Sequence, residues 1–237
     1  CRLGGIPEYV KVQQQDYLPA LYESIIYRDI LARYKLLSDK TLKKLVFYLA
    51  SHCSKDMSYS SLKKLLGLGS VTTVSDYCGY LENSFLCFFV NRYSESLKAQ
   101  EQSPKKVYFI DHVLARVVGF RFSEDIGRML ENIVFIELKR RNFDIYYHSE
   151  NKGCDFILKK MEKIVGAIQV CQNMMDHDTK NREVSGLLEA LERYGLKKGT
   201  ILTESEEGTF SEDYNQKKYE IQVMPVWKFL LSDFQKQ

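Results

Sequence analysis

No GxxxxGK[ST] stretch occurs in the 237 residues, so the chain has no loop of its own for cradling a nucleotide's phosphates. Its six cysteines, at positions 1, 53, 78, 87, 154 and 171, form no CxxC pair and no framework spacing. That excludes a disulfide scaffold or zinc ribbon and predicts reduced thiols in a cytoplasmic protein. No uninterrupted apolar run approaches the roughly 20 residues of a membrane helix, and no signal peptide is visible, so no membrane partner is expected. A charge excess is missing too. Lys+Arg 34 against Asp+Glu 31 leaves +3, without a global field that would demand nucleic acid. The first residue is Cys1 rather than Met, inside what reads as ordered sequence, so the chain is expected to be a fragment of something longer.

At 45% hydrophobic and 27% charged, the chain can bury a substantial core and is expected to hold one or two domains rather than many. Residues 1–37 combine a Gly-Gly-Xaa-Pro turn with a long helical pattern, in which Pro19 suits a first turn and Arg28–Asp29 reads as a surface ion pair. In 39–53, Leu42, Leu45, Val46 and Leu49 recur at helical spacing. A short helix from about Ser61, a Gly67–Gly69 turn and a second helix capped by Ser70 follow. "FLCFFVNRYSES" and "KKVYFID" then read as strands around a polar loop containing Pro104. Three helices and a hairpin, over 38–120, give the winged helix-turn-helix order. Lys63, Lys64, Thr72 and Thr73 are its candidate nucleic-acid contacts. Yet the helix after the turn, "VTTVSDYCGYLEN", has no Lys or Arg and carries Asp76 and Glu82, which phosphates would repel. Protein–protein packing is the favoured use.

The pattern changes over 121–237. "SEDIGRMLENIVFIELKRRN" is a helix whose apolar stripe includes Glu137, with Glu131 at its edge. Strands are expected near 143–148, 154–160 and 163–171, then a helix over about 179–194 stopped by Gly195, strands at "GTILTE" and "YEIQVMP", and a closing helix at "VWKFLLSDF". On the third strand, alternation puts Ala167, Gln169 and Cys171 on one face and Ile168 and Val170 on the other. Glu131, Asp155 and Gln169 could therefore converge at one end of a small sheet. A soft-metal site of Cys154, Cys171 and His148 or His177 lacks zinc-ligand spacing. Asp176, His177 and Asp178 precede a helix and read as its cap.

The series "ENIVFIELKRRNFDIYY", "GCDFIL" and "AIQVC" resembles the restriction-endonuclease-like fold of the PD-(D/E)XK nuclease superfamily. The helix glutamate, strand aspartate and E-x-K strand follow the order and spacing of archaeal Holliday-junction resolvases. More broadly the chain resembles the C-terminal half of bacterial and archaeal AAA+-type ATPases, in the words "GGIPEYV", "YRDIL", "VYFIDHVLA", "LENIVFIELKRR", "REVSGLLEAL" and "VMPVWKFLL". The resemblance implies that Asp155 is the metal ligand and Glu131 the helix carboxylate. Gln169 stands where the second ligand belongs and Cys171 where the lysine belongs. In active members the two acids hold Mg²⁺ and the lysine helps position water. Gly153 also departs from the pattern, which often has a glutamate there. Lys152 or Lys159 could restore a charge.

The expected fold class is α+β or α/β: a helical segment from the end of an ATPase module (1–37), the winged helix-turn-helix segment (38–120), and a restriction-endonuclease-like mixed-sheet domain with flanking helices (121–237). The expected function is that of a C-terminal regulatory or interaction region, with a degenerate, inactive nuclease-like domain that binds a protein or DNA partner. The ATPase domain, with its ATP and Mg²⁺, would be the missing N-terminal part. No cofactor is expected in this chain, and Mg²⁺ at Asp155 only if the nuclease-like site works. The alternatives are an active Mg²⁺-dependent DNA nuclease with a migrated lysine, and a DNA-binding module without catalysis. Oligomerisation is left open.

Overall fold

The computed structural model describes residues 3–36, 38–119 and 125–232. The fold is mixed α and β, in two compact units: Cys1–Val90 with Ser103–Asp125, and Asn91–Gln102 with Ile126–Gln237. The expected boundary at 120/121 lies outside the described residues.

The first unit opens with α1 (Pro7–Val12) and α2 (Tyr17–Ser24), the latter running on as a π-helical stretch, Ile25–Ala32. Then come α3 (Lys40–Ser51), β1 (Asp56–Met57), α4 (Tyr59–Leu66), α5 (Val71–Asn83) and β2 (Cys87–Asn91). After α6 (Leu97–Gln102), which belongs to the second unit, β3 (Lys105–Phe109) and α7 (His112–Val118) complete it. Leu42, Leu45, Val46 and Leu49 are fully buried, as their spacing predicts, and share one core with Leu18, Ile26 and Ile30. Among the described residues, Leu18, Ile26 and Ile30 thus belong to the first unit's core rather than to one of their own.

Local chemistry sets the boundaries. Ser70 Oγ accepts the Thr72 N–H at 3.0 Å and Ser58 Oγ accepts the Ser61 N–H at 3.1 Å, which starts α4 two residues before the expected Ser61. Asp111 caps α7 by accepting from Val113 (2.7 Å) and Leu114 (3.1 Å), and its other oxygen takes the Gly5 N–H at 2.6 Å. The Gly-Gly-Xaa-Pro turn is therefore pinned to α7. Gly4 has φ +77°, and a Cβ there would lie 2.5 Å from Asp111 Oδ2. Arg28 and Asp29 form the exposed pair at 2.8 Å. Three features differ from expectation. The Pro104 loop contains α6, the hairpin is a three-stranded sheet of order β1-β3-β2, and α7 follows it. β1 and α6 are too short for their apolar periodicity to register.

The second unit contains α8 (Ile126–Arg140), β4 (Asp144–Ser149), β5 (Gly153–Lys160), β6 (Lys163–Val170), α9 (His177–Arg193), β7 (Lys198–Thr203), β8 (Gly208–Tyr214), β9 (Lys217–Pro225) and α10 (Val226–Leu231). Its six strands run in the order β4-β5-β6-β7-β9-β8. The β4–β5–β6 meander is antiparallel, β6, β7 and β9 are mutually parallel, and β8 is an antiparallel edge. A parallel β6–β7 pair needs a crossover, and α9 supplies it. Val184, Leu187, Leu188 and Leu191 of α9 pack against Ile157, Ala167, Ile201 and Ile221. Phe156, Leu158, Ile168 and Leu202 alternate to the opposite face and are fully buried, and α8 and α10 pack against β4, β6, β7 and β9. Gly186 lets α9 approach β5 closely: a Cβ there would be 2.0 Å from the Gly153 carbonyl oxygen. β8 escapes a sequence reading because one face is exposed and the other only half-buried, with Glu212 between Phe210 and Tyr214 interrupting the apolar alternation.

Candidate functional site

In open α/β sheets ligands bind outside the carboxyl ends of the parallel strands. At that end of β6, β7 and β9 the chain concentrates polar groups. Register between β4 and β5 shifts between Tyr146 and His148, opposite Ile157 and Cys154, so Asp155 stands at an irregularity. Such bulges re-aim side chains. The structure brings Asp155 and Gln169 together. The Val170 N–H donates to Asp155 Oδ2 at 3.0 Å, and the Asp155 N–H donates to Gln169 Oε1 at 3.0 Å. The two side chains replace the missing end of the β5–β6 ladder. Gln169 Nε2 in turn donates to Glu183 Oε2 on α9, and Glu183 Oε1 accepts from Arg182 at 2.7 Å. Gln169 and Glu183 are both buried.

Cys171 faces the same cluster. Burial pushes its thiol up to about 12, and the charges of Glu183, Glu206 and Asp155 add to that. It is neutral at physiological pH and provides no cation. Glu206 accepts the Met174 N–H at 2.7 Å and exchanges bonds with Thr203 Oγ1, closing the loops that follow β6 and β7. Mg²⁺ prefers octahedral oxygen ligands and one or two available carboxylates. Here one oxygen of Asp155, the carbonyl of Gln169 and both oxygens of Glu183 already accept protein hydrogen bonds. Among the described residues no group of three or more His, Cys, Asp or Glu side chains is placed to hold a metal ion. The donor set does not fit Mg²⁺ as it stands.

The remaining expected residues lie on other elements. Glu131 is buried on α8 with its neighbour Asn132. Glu137, also turned inward, binds Arg140 at 2.7 Å and Arg141 at 2.6 Å. Burial opposes its charge, but the two guanidinium groups outweigh that and hold its carboxyl below the usual range. Arg141 continues to the Phe229 carbonyl at 2.7 Å, tying α8 to α10. Lys63, Lys64, Thr72 and Thr73 lie in the first unit, on α4 and the start of α5, with Lys64 and Thr72 exposed and Lys63 and Thr73 half-buried. Lys152 donates its backbone N–H to Glu189 at 3.0 Å, and Lys159 lies four residues along β5 from Asp155. Asp176 caps α9 through the Thr179 N–H at 2.7 Å.

Two sets of residues go unrecognised in the sequence. Glu183 and Arg182 border the apolar stripe of α9, and a buried carboxylate beside that stripe is the available signal. The second set centres on His148, which is 2% exposed. Its Nε2 lies 2.9 Å from Glu189 Oε1 and its Nδ1 2.9 Å from the Tyr194 hydroxyl. A carboxylate only accepts, so Nε2 carries the proton towards Glu189. Burial works against the Glu189 charge, but the Lys152 N–H, His148 and the Asn151 N–H hold the carboxyl below its usual range. With both ring nitrogens occupied, His148 is not a soft-metal ligand. Above it Tyr93 packs edge-on against Tyr146 and Tyr194, at 5.3 and 5.2 Å. Its N–H donates to the Tyr147 carbonyl at 2.9 Å, and Arg92 bridges to Tyr147 in parallel. Residues 92 and 93 thereby cap the C-terminal half of the β4 edge, at Tyr147 and Ser149. These contacts join residues far apart in sequence, and no periodicity announces them.

A family model described as a domain of unknown function, DUF8612, matches residues 2–124. The chain belongs to that family. Asp155, Gln169 and Glu183 all lie beyond the matched stretch. An uncharacterised protein of Methanocaldococcus jannaschii, MJ1544, is 28% identical over 98% of this chain and 54% of its own length. An uncharacterised protein of Haemophilus influenzae is 28% identical over 76% of this chain and 47% of its own. The chain thus spans about half the length of the curated relatives it matches. No solved structure matches. Among the described residues no helix is long and apolar enough to cross a membrane.

Proposed function

We propose that this chain is the regulatory and interaction region of a longer AAA+-type ATP-binding protein. The first unit is read as a winged helix-turn-helix with a preceding helical segment. The second is read as a restriction-endonuclease-like scaffold without working nuclease chemistry. Nucleotide hydrolysis, with its ATP and Mg²⁺, belongs to a further domain, and this region senses a partner. One observation carries the reading: Asp155 commits one carboxylate oxygen and Gln169 its carbonyl oxygen to backbone N–H groups at 3.0 Å, closing the sheet where a nuclease would present them to a metal. A neutral Cys171 beside them supplies no lysine-like charge. A protein partner is favoured over DNA, because α5 exposes Asp76 and Glu82 and has no Lys or Arg.

Arg182 and Glu183 favour a second reading, an active nuclease in which the carboxylate and cation have moved from β6 to α9. The purified chain incubated with duplex and branched DNA and Mg²⁺ or Mn²⁺ decides between them. The expected result is no cleavage. Cutting that disappears in Asp155→Ala would install the second reading. Salt-dependent duplex binding weakened by Lys63→Ala/Lys64→Ala would instead make this a DNA-binding module.

A further inference from the structure

The six-stranded sheet has two edges, and they are treated differently. The β4 edge is capped over its C-terminal half by Arg92 and Tyr93, which bond to Tyr147 and Ser149. Among the described residues no strand lies beyond β8. An open edge is a template for pairing with another chain unless something blocks it. β8 is not shortened or bulged: Gly208–Tyr214 pairs with β9 in unbroken register.

The direction of its free groups follows from the turn. Asn215 and Gln216 both have left-handed φ, 49° and 64°, and form a two-residue hairpin loop. Tyr214 and Lys217, which flank that loop, are then a hydrogen-bonded pair. By alternation Glu212, Phe210 and Gly208 also bond to β9. Thr209, Ser211 and Asp213 aim their N–H and C=O groups outward.

The geometry points to a second copy of this chain as the occupant of that edge, paired antiparallel about a two-fold axis at Ser211. This register uses the whole strand. It sets Thr209 opposite the partner's Asp213, Gly208 opposite the partner's Tyr214, and Phe210 opposite the partner's Glu212, with no like charges face to face. A pairing centred on Asp213 would oppose two aspartates. Charge complementarity supports the Ser211 register independently. Lys180 of α9 holds its ammonium 5.2 Å over the Phe210 ring. Residues directly opposite share a face of the sheet, so the partner's Glu212 comes up beside that ammonium, twice per dimer. Asp213 is already matched by Lys218 across the hairpin. The acids on β8 repel an unrelated acidic strand and accept the lysine of an identical subunit. Two six-stranded sheets become one continuous sheet.

Sedimentation equilibrium of the full 237-residue chain across the micromolar range tests this. A reversible monomer–dimer equilibrium is expected. Ser211→Pro removes only an outward N–H, which an edge strand tolerates, and should weaken the dimer at least about tenfold with an unchanged circular dichroism spectrum. Glu212→Lys and Lys180→Glu should each weaken it, and the double variant should restore it. A chain that stays monomeric, a dimer indifferent to Ser211→Pro with the fold intact, or charge variants without mutual rescue would each overturn the proposal.

Discussion

Replacing Gln169 by glutamate restores in one atom the carboxylate that a nuclease-like site would have, and the structure fixes what it should do. Gln169 Nε2 donates to Glu183 Oε2 in a buried position. In Gln169→Glu that contact becomes two carboxylates face to face. At about 4 Å and an effective dielectric of about 20, two unit charges repel by about 4 kcal/mol. The lost hydrogen bond adds about 1 kcal/mol, a stronger bond from the Asp155 N–H returns a similar amount, and relaxation takes back part of the repulsion. The expected net destabilisation is about 2–4 kcal/mol at pH 8. Its pH dependence has a definite sign. The introduced carboxyl is raised in the folded state above its unfolded value of about 4.3. The variant is therefore least impaired below that pH, where the introduced group is protonated and can donate to Glu183, and it loses stability as pH rises through the folded value. The deficit should be about 1 kcal/mol at pH 5 and reach its plateau by about pH 8. Urea denaturation at the two pH values measures it, followed by the fluorescence of Trp227, the sole tryptophan, which lies in the same unit. Mn²⁺ should stabilise the variant more than the parent. A variant within about 0.5 kcal/mol of the parent at pH 8 would show that Gln169 does not face Glu183.

Gly186→Ala and Gly79→Ala should have opposite signs although both sit inside helices. A methyl at 186 meets the Gly153 carbonyl oxygen at 2.0 Å while one at 79 meets nothing within 4 Å. Thermal melts should show the first destabilised by about 1–3 kcal/mol through forced separation of α9 from β5, and the second stabilised by about 0.5–1 kcal/mol. Asp111→Ala strips the cap of α7 and the anchor of Gly5. A loss of about 2 kcal/mol is expected, with faster hydrogen exchange at the amides of Gly5, Val113 and Leu114 as the specific readout. Thiol titration at pH 8 should find Cys53, Cys78, Cys87, Cys154 and Cys171 unreactive until denaturant is added, since all are buried and burial pushes Cys78 and Cys171 up to about 12.

What can be read beforehand follows physical rules with short reach. The stripe Leu42–Leu49, the caps Ser70 and Asp176, and the faces of β6 depend on residues a few positions apart. The pair Asp155–Gln169 can be placed at one sheet end because strand alternation and a hairpin suffice. Glu183 cannot be tied to Gln169 from spacing alone. That contact requires knowing where the crossover helix lands, which Gly186 and Gly153 decide by close approach. Tyr93 over Tyr146 and Tyr194 is harder still, because it depends on a segment whose own residues carry no periodic signal. β8 is illegible for the converse reason: its inner face is only half-buried, and Glu212 separates the apolar Phe210 and Tyr214 that pack on the core.

The placement of Arg92 and Tyr93 affects how the molecule can be divided. The polypeptide leaves the first unit at Val90, lends residues 91–102 to the second, and returns at Ser103. No single cut therefore yields both units whole. A fragment beginning at Ile126 would start with its β4 border stripped of the Arg92 and Tyr93 contacts to Tyr147 and with a bare aromatic surface beside His148. Such a fragment should aggregate through that border, and one beginning at Val90 keeps the border covered but carries Val107, Phe109, Val113 and Leu114 without the first-unit core that buries them.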